Sequence, residues 1–220
     1  LYGYYPYGSP ESVSAYVFEV EQDQSGNNAV DGYAMSDFLW GKATNVAPSE
    51  SKVKLKFNHK MACANVILAE GDGFESGEFD MLEKLVLVMN TTRTSTIDLS
   101  TGKVTATGKA AREGIVMKSG AEGFRAIVVP QTVDAGEELL VITIDGHPRK
   151  FVRGEATEYL PGKITNFDLA IKKGTNAGEY EVELVGGARQ LDDAHRSGQG
   201  GVHGEGDHDV ADGLDRGPQR

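Results

Sequence analysis

A single cysteine, Cys63, stands in the 220 residues of this chain. One thiol excludes an intrachain disulfide and any metal cluster built on several thiolates. Long apolar runs are missing too. None approaches the roughly 20 residues that a membrane-spanning helix needs. Lys and Arg total 22 against 33 Asp and Glu, leaving a net charge of -11. That deficit opposes a nucleic-acid partner, whose phosphates call for a basic face. It equally opposes electrostatic attachment to anionic lipid. The N-terminal Leu1-Tyr-Gly-Tyr-Tyr-Pro-Tyr7 has no initiator Met, no basic n-region and no apolar h-region. It is read as a mature or truncated start, with any targeting information lying outside the chain.

Helical periodicity is poor throughout, whereas β periodicity recurs. From Lys52 to Cys63, Val53, Leu55, Phe57, His59, Met61 and Cys63 alternate with Lys52, Lys54, Lys56, Asn58 and Lys60. A period of two over this length predicts a half-buried strand, one face on a core and one in water. Beyond Cys63 the alternation gives way to Val66-Ile-Leu-Ala, which predicts burial on both faces. Further strands are expected at Tyr16–Val20, Leu85–Met89, Arg125–Val129, Glu138–Ile144, Lys150–Arg153 and Ile164–Ile171. Ser95–Leu99 and Val104–Thr107 read as a hairpin, with Gly102 supplying the positive φ of the turn. Asp145-Gly146 is a second strong turn pair. Asp37-Phe-Leu-Trp40 is expected to be a short helical or irregular turn. About eight short strands with turn signals between them predict an all-β sandwich or barrel.

Candidate chemistry is thin. A hydrolase needs a nucleophile and an activating base, and no Gly-x-Ser-x-Gly occurs. His59 and Cys63 share a face, but four residues along a strand separate them by roughly 13 Å. Both are expected to be core residues. Gly102-Lys, Gly108-Lys and Gly162-Lys lack the spacing of a phosphate loop. Gly71-Asp-Gly-Phe-Glu-Ser-Gly77 reads as a turn between strands, with no helix pattern after it. Asn90-Thr-Thr fits the glycosylation pattern, which also arises by chance. Tyr2, Tyr4, Tyr5 and Tyr7 could stack on sugars, although a strand entering the core is the commoner use. No catalytic, cofactor-binding or metal-binding residue is assigned, and no cofactor is expected.

The last 35 residues change character. Residues 186–220 hold nine glycines and three of the five histidines, with no Phe, Trp, Tyr, Ile, Met or Cys. Such a segment cannot bury enough apolar surface to offset ordering entropy. Disorder or an out-of-frame 3′ end is expected. Asp192, Asp193, His195, His203, Glu205, Asp207, His208 and Asp209 match neither a calcium loop nor a zinc motif.

Taken in order, seven motifs resemble the fimbrillin family of Bacteroidales. They are Tyr4-Tyr-Pro-Tyr7, Asp23-Gln-Ser25, Ser36-Asp-Phe-Leu-Trp40, Leu55-Lys-Phe-Asn-His-Lys-Met-Ala62, Asp98-Leu-Ser-Thr-Gly102, Ala126-Ile-Val-Val-Pro-Gln131 and Pro161-Gly-Lys163. The resemblance covers about residues 1 to 185. It implies a transthyretin-like β-sandwich of about seven strands per domain, with no catalysis. It divides the chain into a sandwich domain over 1–173, a linker and start of a second β domain over 174–185, and the tail over 186–220.

In function it implies a structural or adhesive subunit or accessory of surface fimbriae, located at the cell surface, outer membrane or fimbrium. The implied partners are other fimbrial subunits, joined by β-strand exchange. Host glycan or host protein is a further implied partner; nucleic acid is not. Outer-membrane association would run through a lipid anchor that this chain does not contain, since Cys63 lies mid-strand and cannot carry it. The alternative is a non-polymerising surface module for glycan or host protein, with the N-terminal tyrosines as its stacking platform.

Overall fold

A computed structural model describes residues 1–47, 52–110, 113–186 and the backbone of 189–192. The elements follow the chain as β1 (Tyr2–Tyr5), β2 (Tyr16–Glu19), α1 (Gly32–Ser36), β3 (Leu39–Lys42), β4 (Asn58–His59) and β5 (Ala62–Glu70). Then come α2 (Glu78–Met81), β6 (Lys84–Val88), β7 (Thr94–Asp98), β8 (Lys103–Thr107), β9 (Ile115–Val116), β10 (Lys118–Gly120) and β11 (Gly123–Val128). The last third holds β12 (Gln131–Val133), β13 (Glu138–Ile144), β14 (His147–Val152), β15 (Thr157–Tyr159), β16 (Lys163–Lys173), β17 (Tyr180–Leu184) and β18 (Arg189–Asp192). The protein is all-β, and its sheets stay open rather than closing into a barrel.

The main sheet runs β10-β11-β5-β16-β17, with β18 also on β16. Its centre is a parallel pair, β5 on β16, in register from Cys63 opposite Ile164 to Glu70 opposite Ile171. Four smaller sheets complete the fold: β14-β13-β6-β9, β2-β7-β8, β1-β3-β4 and β12-β15. One continuous apolar core joins them, including Val66, Phe167, Val86, Leu140 and Ile142. Along β5, Ala64 and Val66 point to one face while Cys63, Asn65 and Ile67 point to the other. Val66 is fully buried and Ile67 is 42% exposed, so the second face opens to water at that level.

The turn chemistry is where the sequence places it. Asp145 and Gly146 both adopt positive φ, 46° and 79°, between the paired Ile144 and His147. That is the twist a two-residue hairpin requires. Gly102 has φ 71° in the β7–β8 turn. Pro148, which has no N–H for a ladder, sits in β14 at the edge of its sheet.

Three expectations change. The alternating Lys52–Cys63 segment is not one strand: 52–57 carries no strand pairing, Asn58–His59 pairs with Leu39–Trp40, and β5 begins at Ala62. A Cβ on Gly41 would lie 2.5 Å from the Lys56 carbonyl oxygen. The 52–57 chain therefore passes against β3 without joining it, and its alternation reflects contact on one side only. Asp37–Trp40 is not a helical turn either. The helix precedes it at Gly32–Ser36, capped by the Asp31 carboxylate on the Tyr33 and Ala34 N–H groups, and Leu39–Trp40 enters β3. A single helical turn, Glu78–Met81, does follow the glycine-rich 71–77 loop. Within 174–185, Tyr180–Leu184 form β17, hydrogen-bonded along β16.

Candidate functional site

The motif residues have structural work in the fold. Gln24 is fully buried. Its side-chain amide accepts from the Ile127 N–H at 2.7 Å and donates to the Ile127 carbonyl at 2.8 Å. It thus supplies β11 with the pairing an adjacent strand would give. Gln131 does the same for Thr92, accepting from its N–H at 2.8 Å and donating to its carbonyl at 3.0 Å. Asp23 accepts from Ser25 N–H at 2.9 Å, and its carboxyl is held below the usual range by the Ser25 hydrogen bonds.

A second group gathers around the one tryptophan. Trp40 Nε1 donates to the Leu99 carbonyl at 2.8 Å, and the Asp98–Gly102 turn lies against its ring. Lys60 Nζ stands 4.7 Å from the ring centre, and burial there lowers the lysine pKa. His59 Nδ1 lies 2.7 Å from Asp37 Oδ2. His59 is therefore a half-buried partner of Asp37 rather than a core residue. Cys63 is buried, with the Tyr33 hydroxyl 3.8 Å from its sulfur, which fits the small core hydrophobe expected of it. Among the described residues no three His, Cys, Asp or Glu side chains are grouped to hold a metal ion.

The tyrosine cluster divides. Tyr4 is packed inward, stacked on Phe38 and tilted against Tyr16, with its hydroxyl donating to Gly8 O at 2.7 Å. Tyr5 and Tyr7 stay exposed. Asn90, in the glycosylation pattern, uses its side-chain amide to donate to the Glu138 carbonyl at 2.8 Å. The amide nitrogen that would carry a sugar is engaged. The acidic and histidine side chains of the tail lie outside the described residues.

The pattern of motifs gave no sign of one further group. On the outer face of the main sheet, Arg125, Asn65 and Asn166 stand side by side on β11, β5 and β16. Arg125 Nε donates to Asn65 Oδ1 at 3.1 Å, and Asn65 Nδ2 donates to Asn166 Oδ1 at 2.6 Å. The two asparagines are 4% and 9% exposed. They form the floor of an open concavity of about 690 Å³, bounded by Ile67, Ile164, Glu122 and the tip of the β10–β11 hairpin. The available signal was a polar residue, Asn65, inside the apolar run Ala62–Leu68.

Open sheets around one core, side-chain amides substituting for missing strands, and motif residues spent on packing define an all-β protein. More narrowly, a fimbrillin-like family model matches residues 1–185, and the chain belongs to that family. Its class is accordingly fimbrial-type. No curated protein sequence matches the chain. Three solved structures share the fold. A candidate cell adhesion protein of Bacteroides uniformis ATCC 8492 superposes with a TM-score of 0.61 at 18% identity, over 87% of this chain and 72% of that one. One from Bacteroides ovatus ATCC 8483 gives 0.58 at 18% identity, over 87% and 66%. One from Bacteroides thetaiotaomicron VPI-5482 gives 0.51 at 22% identity, over 80% and 66%.

Proposed function

We propose that this chain is a non-enzymatic subunit or accessory of surface fimbriae that assembles with other subunits by β-strand exchange. The observation that carries this reading is the free edge of β2. This strand pairs only with β7 among the described residues, and its Val17 is 64% exposed. An edge strand presenting unpaired backbone and an outward aliphatic is the feature that monomeric β proteins avoid. It is also the feature that accepts an added strand. Main-chain hydrogen bonds then supply affinity, and the side-chain alternation sets register. The same reading places the protein at the outer membrane or in the fimbrium, held through a lipid anchor. It takes the domain to be a transthyretin-like sandwich over 1–173, with further β structure following.

The test is assembly of the full-length precursor after export and processing. Ladder formation on gels and filaments by electron microscopy are expected. Val17→Lys, which adds charge to the edge without touching the core, is expected to abolish the ladder while leaving the thermal melt unchanged. A processed wild type that stays monomeric, or a V17K protein that polymerises normally, rejects strand exchange at this edge.

A further inference from the structure

We propose that the concavity over Arg125, Asn65 and Asn166 is a binding site for a neutral saccharide. This goes beyond assembly and does not depend on the β2 edge. The three side chains make a one-directional relay across neighbouring strands. Arg125 donates to Asn65, which donates to Asn166. Each side-chain carbonyl oxygen in the row accepts one hydrogen bond, and the row ends in donors. Asn166 lines the cavity, and its Nδ2 donates to no group among the described residues. Arg125 Nη1 is also unspent, because its Nε goes to Asn65 and its Nη2 to Glu122. A ligand oxygen seated over the row meets donors that no protein group occupies.

The surroundings narrow the ligand. Arg125 and Lys84 bring positive charge to the walls, and Glu122 and Asp80 bring negative charge. A site with both signs balanced does not favour an anion or a cation. Its carboxylates accept hydrogen bonds while its floor donates them. The ligand must therefore carry groups that do both, which is the property of hydroxyls. Ile67, exposed on the same face as the asparagines, adds an aliphatic surface. A sugar ring offers hydroxyl edges and a C–H face together. The hairpin tip, Gly120-Ala-Glu-Gly123, has only one long side chain, so the mouth stays open to a chain of sugars. The volume, about 690 Å³, falls in the roughly 300–1,000 Å³ range of small-molecule sites.

The experiment uses the full chain on an array of neutral and acidic oligosaccharides, followed by calorimetric titration of the best neutral hit. Wild type is expected to bind. Asn166→Asp, which replaces the donor with an acceptor at nearly equal size, is expected to weaken binding tenfold or more. Glu122→Ala removes an exposed side chain, so the fold does not depend on it, and is expected to weaken binding severalfold. The pair Tyr5→Ala/Tyr7→Ala and the edge variant V17K are expected to bind as wild type does. No neutral saccharide bound, acidic saccharides bound alone, an extended peptide bound instead, or undiminished binding by both Asn166→Asp and Glu122→Ala would each overturn the proposal. Loss of assembly with sugar binding intact would reject only the strand-exchange reading.

Discussion

The side chain of Gln24 and the backbone of Ile127, 103 residues apart, close a two-membered hydrogen-bond ring in the core. Replacing Gln24 by Leu would leave the Ile127 N–H and carbonyl buried with no partner. Each orphaned group costs on the order of 1–3 kcal/mol, so Gln24→Leu is expected to destabilise the fold by about 2–6 kcal/mol. Gln24→Glu keeps the acceptor, loses the donor and buries a charge, and is expected to be no better. Urea denaturation with constant m-value measures both.

Gly102 should tolerate no side chain. Its φ is 71°, and an added Cβ would lie 2.6 Å from Trp40 Cδ2. Gly102→Ala therefore meets both the left-handed backbone penalty and a clash with a ring fixed by its own bond to Leu99. A loss of about 2 kcal/mol or more is expected. Trp40 is the only tryptophan, so its emission reports directly. A red shift is expected in the folded Gly102→Ala protein, and an unchanged spectrum with unchanged stability would refute the packing described for the turn.

Tyr159 is buried, and its hydroxyl has no hydrogen-bond partner among the described residues. Burial pushes its phenol well above the ordinary value. A group whose folded pKa is raised contributes stability that is present below the unfolded pKa, near 10, and is lost as pH rises through the folded pKa. Wild type is therefore expected to lose stability above about pH 10. Tyr159→Phe should remove that share of the alkaline loss and, at neutral pH, be neutral or stabilising by about 1 kcal/mol. Chemical denaturation at pH 7 and above pH 10 compares the two proteins.

Acid should act through different groups. The hydrogen bond from Lys118, 2.7 Å from Asp31 Oδ2, holds the Asp31 carboxyl below its usual range, and Ser100 does so for Asp98. Carboxylates with depressed folded pKa stabilise above the unfolded pKa, near 4. They lose that contribution as pH falls through the folded value. The melting temperature is expected to hold from pH 7 to about 5 and to fall below about 4. Lys118→Met raises the Asp31 pKa and is expected to move the onset of acid unfolding to higher pH.

How much of this was legible in the sequence depended on the range of the interaction. Asp145-Gly146 and Gly102 announced their hairpins because a turn is decided by its own residues' φ values. The motif glutamines were visible as markers, but not as strand substitutes, because the backbones they satisfy lie far along the chain. Lys52–Cys63 misled for a related reason. Alternation records which side chains are covered and says nothing of where the backbone hydrogen bonds go, and at Lys56 they do not go to Gly41. The Arg125–Asn65–Asn166 row was invisible in the same way. Each member sits on a separate strand, and only the pairing of β11, β5 and β16 puts them together.

That pairing also sets a timetable. The Asn65 and Asn166 side chains are 101 residues apart, and β5 has no parallel neighbour until β16 arrives. Contacts that close such long loops form slowly. A chain delivered N-terminus first, from a ribosome or through a membrane pore, travels with only the β10-β11-β5 half of its largest sheet available. The central seam of that sheet locks only when the final quarter emerges, so the protein remains threadable through most of its passage and turns rigid at the end.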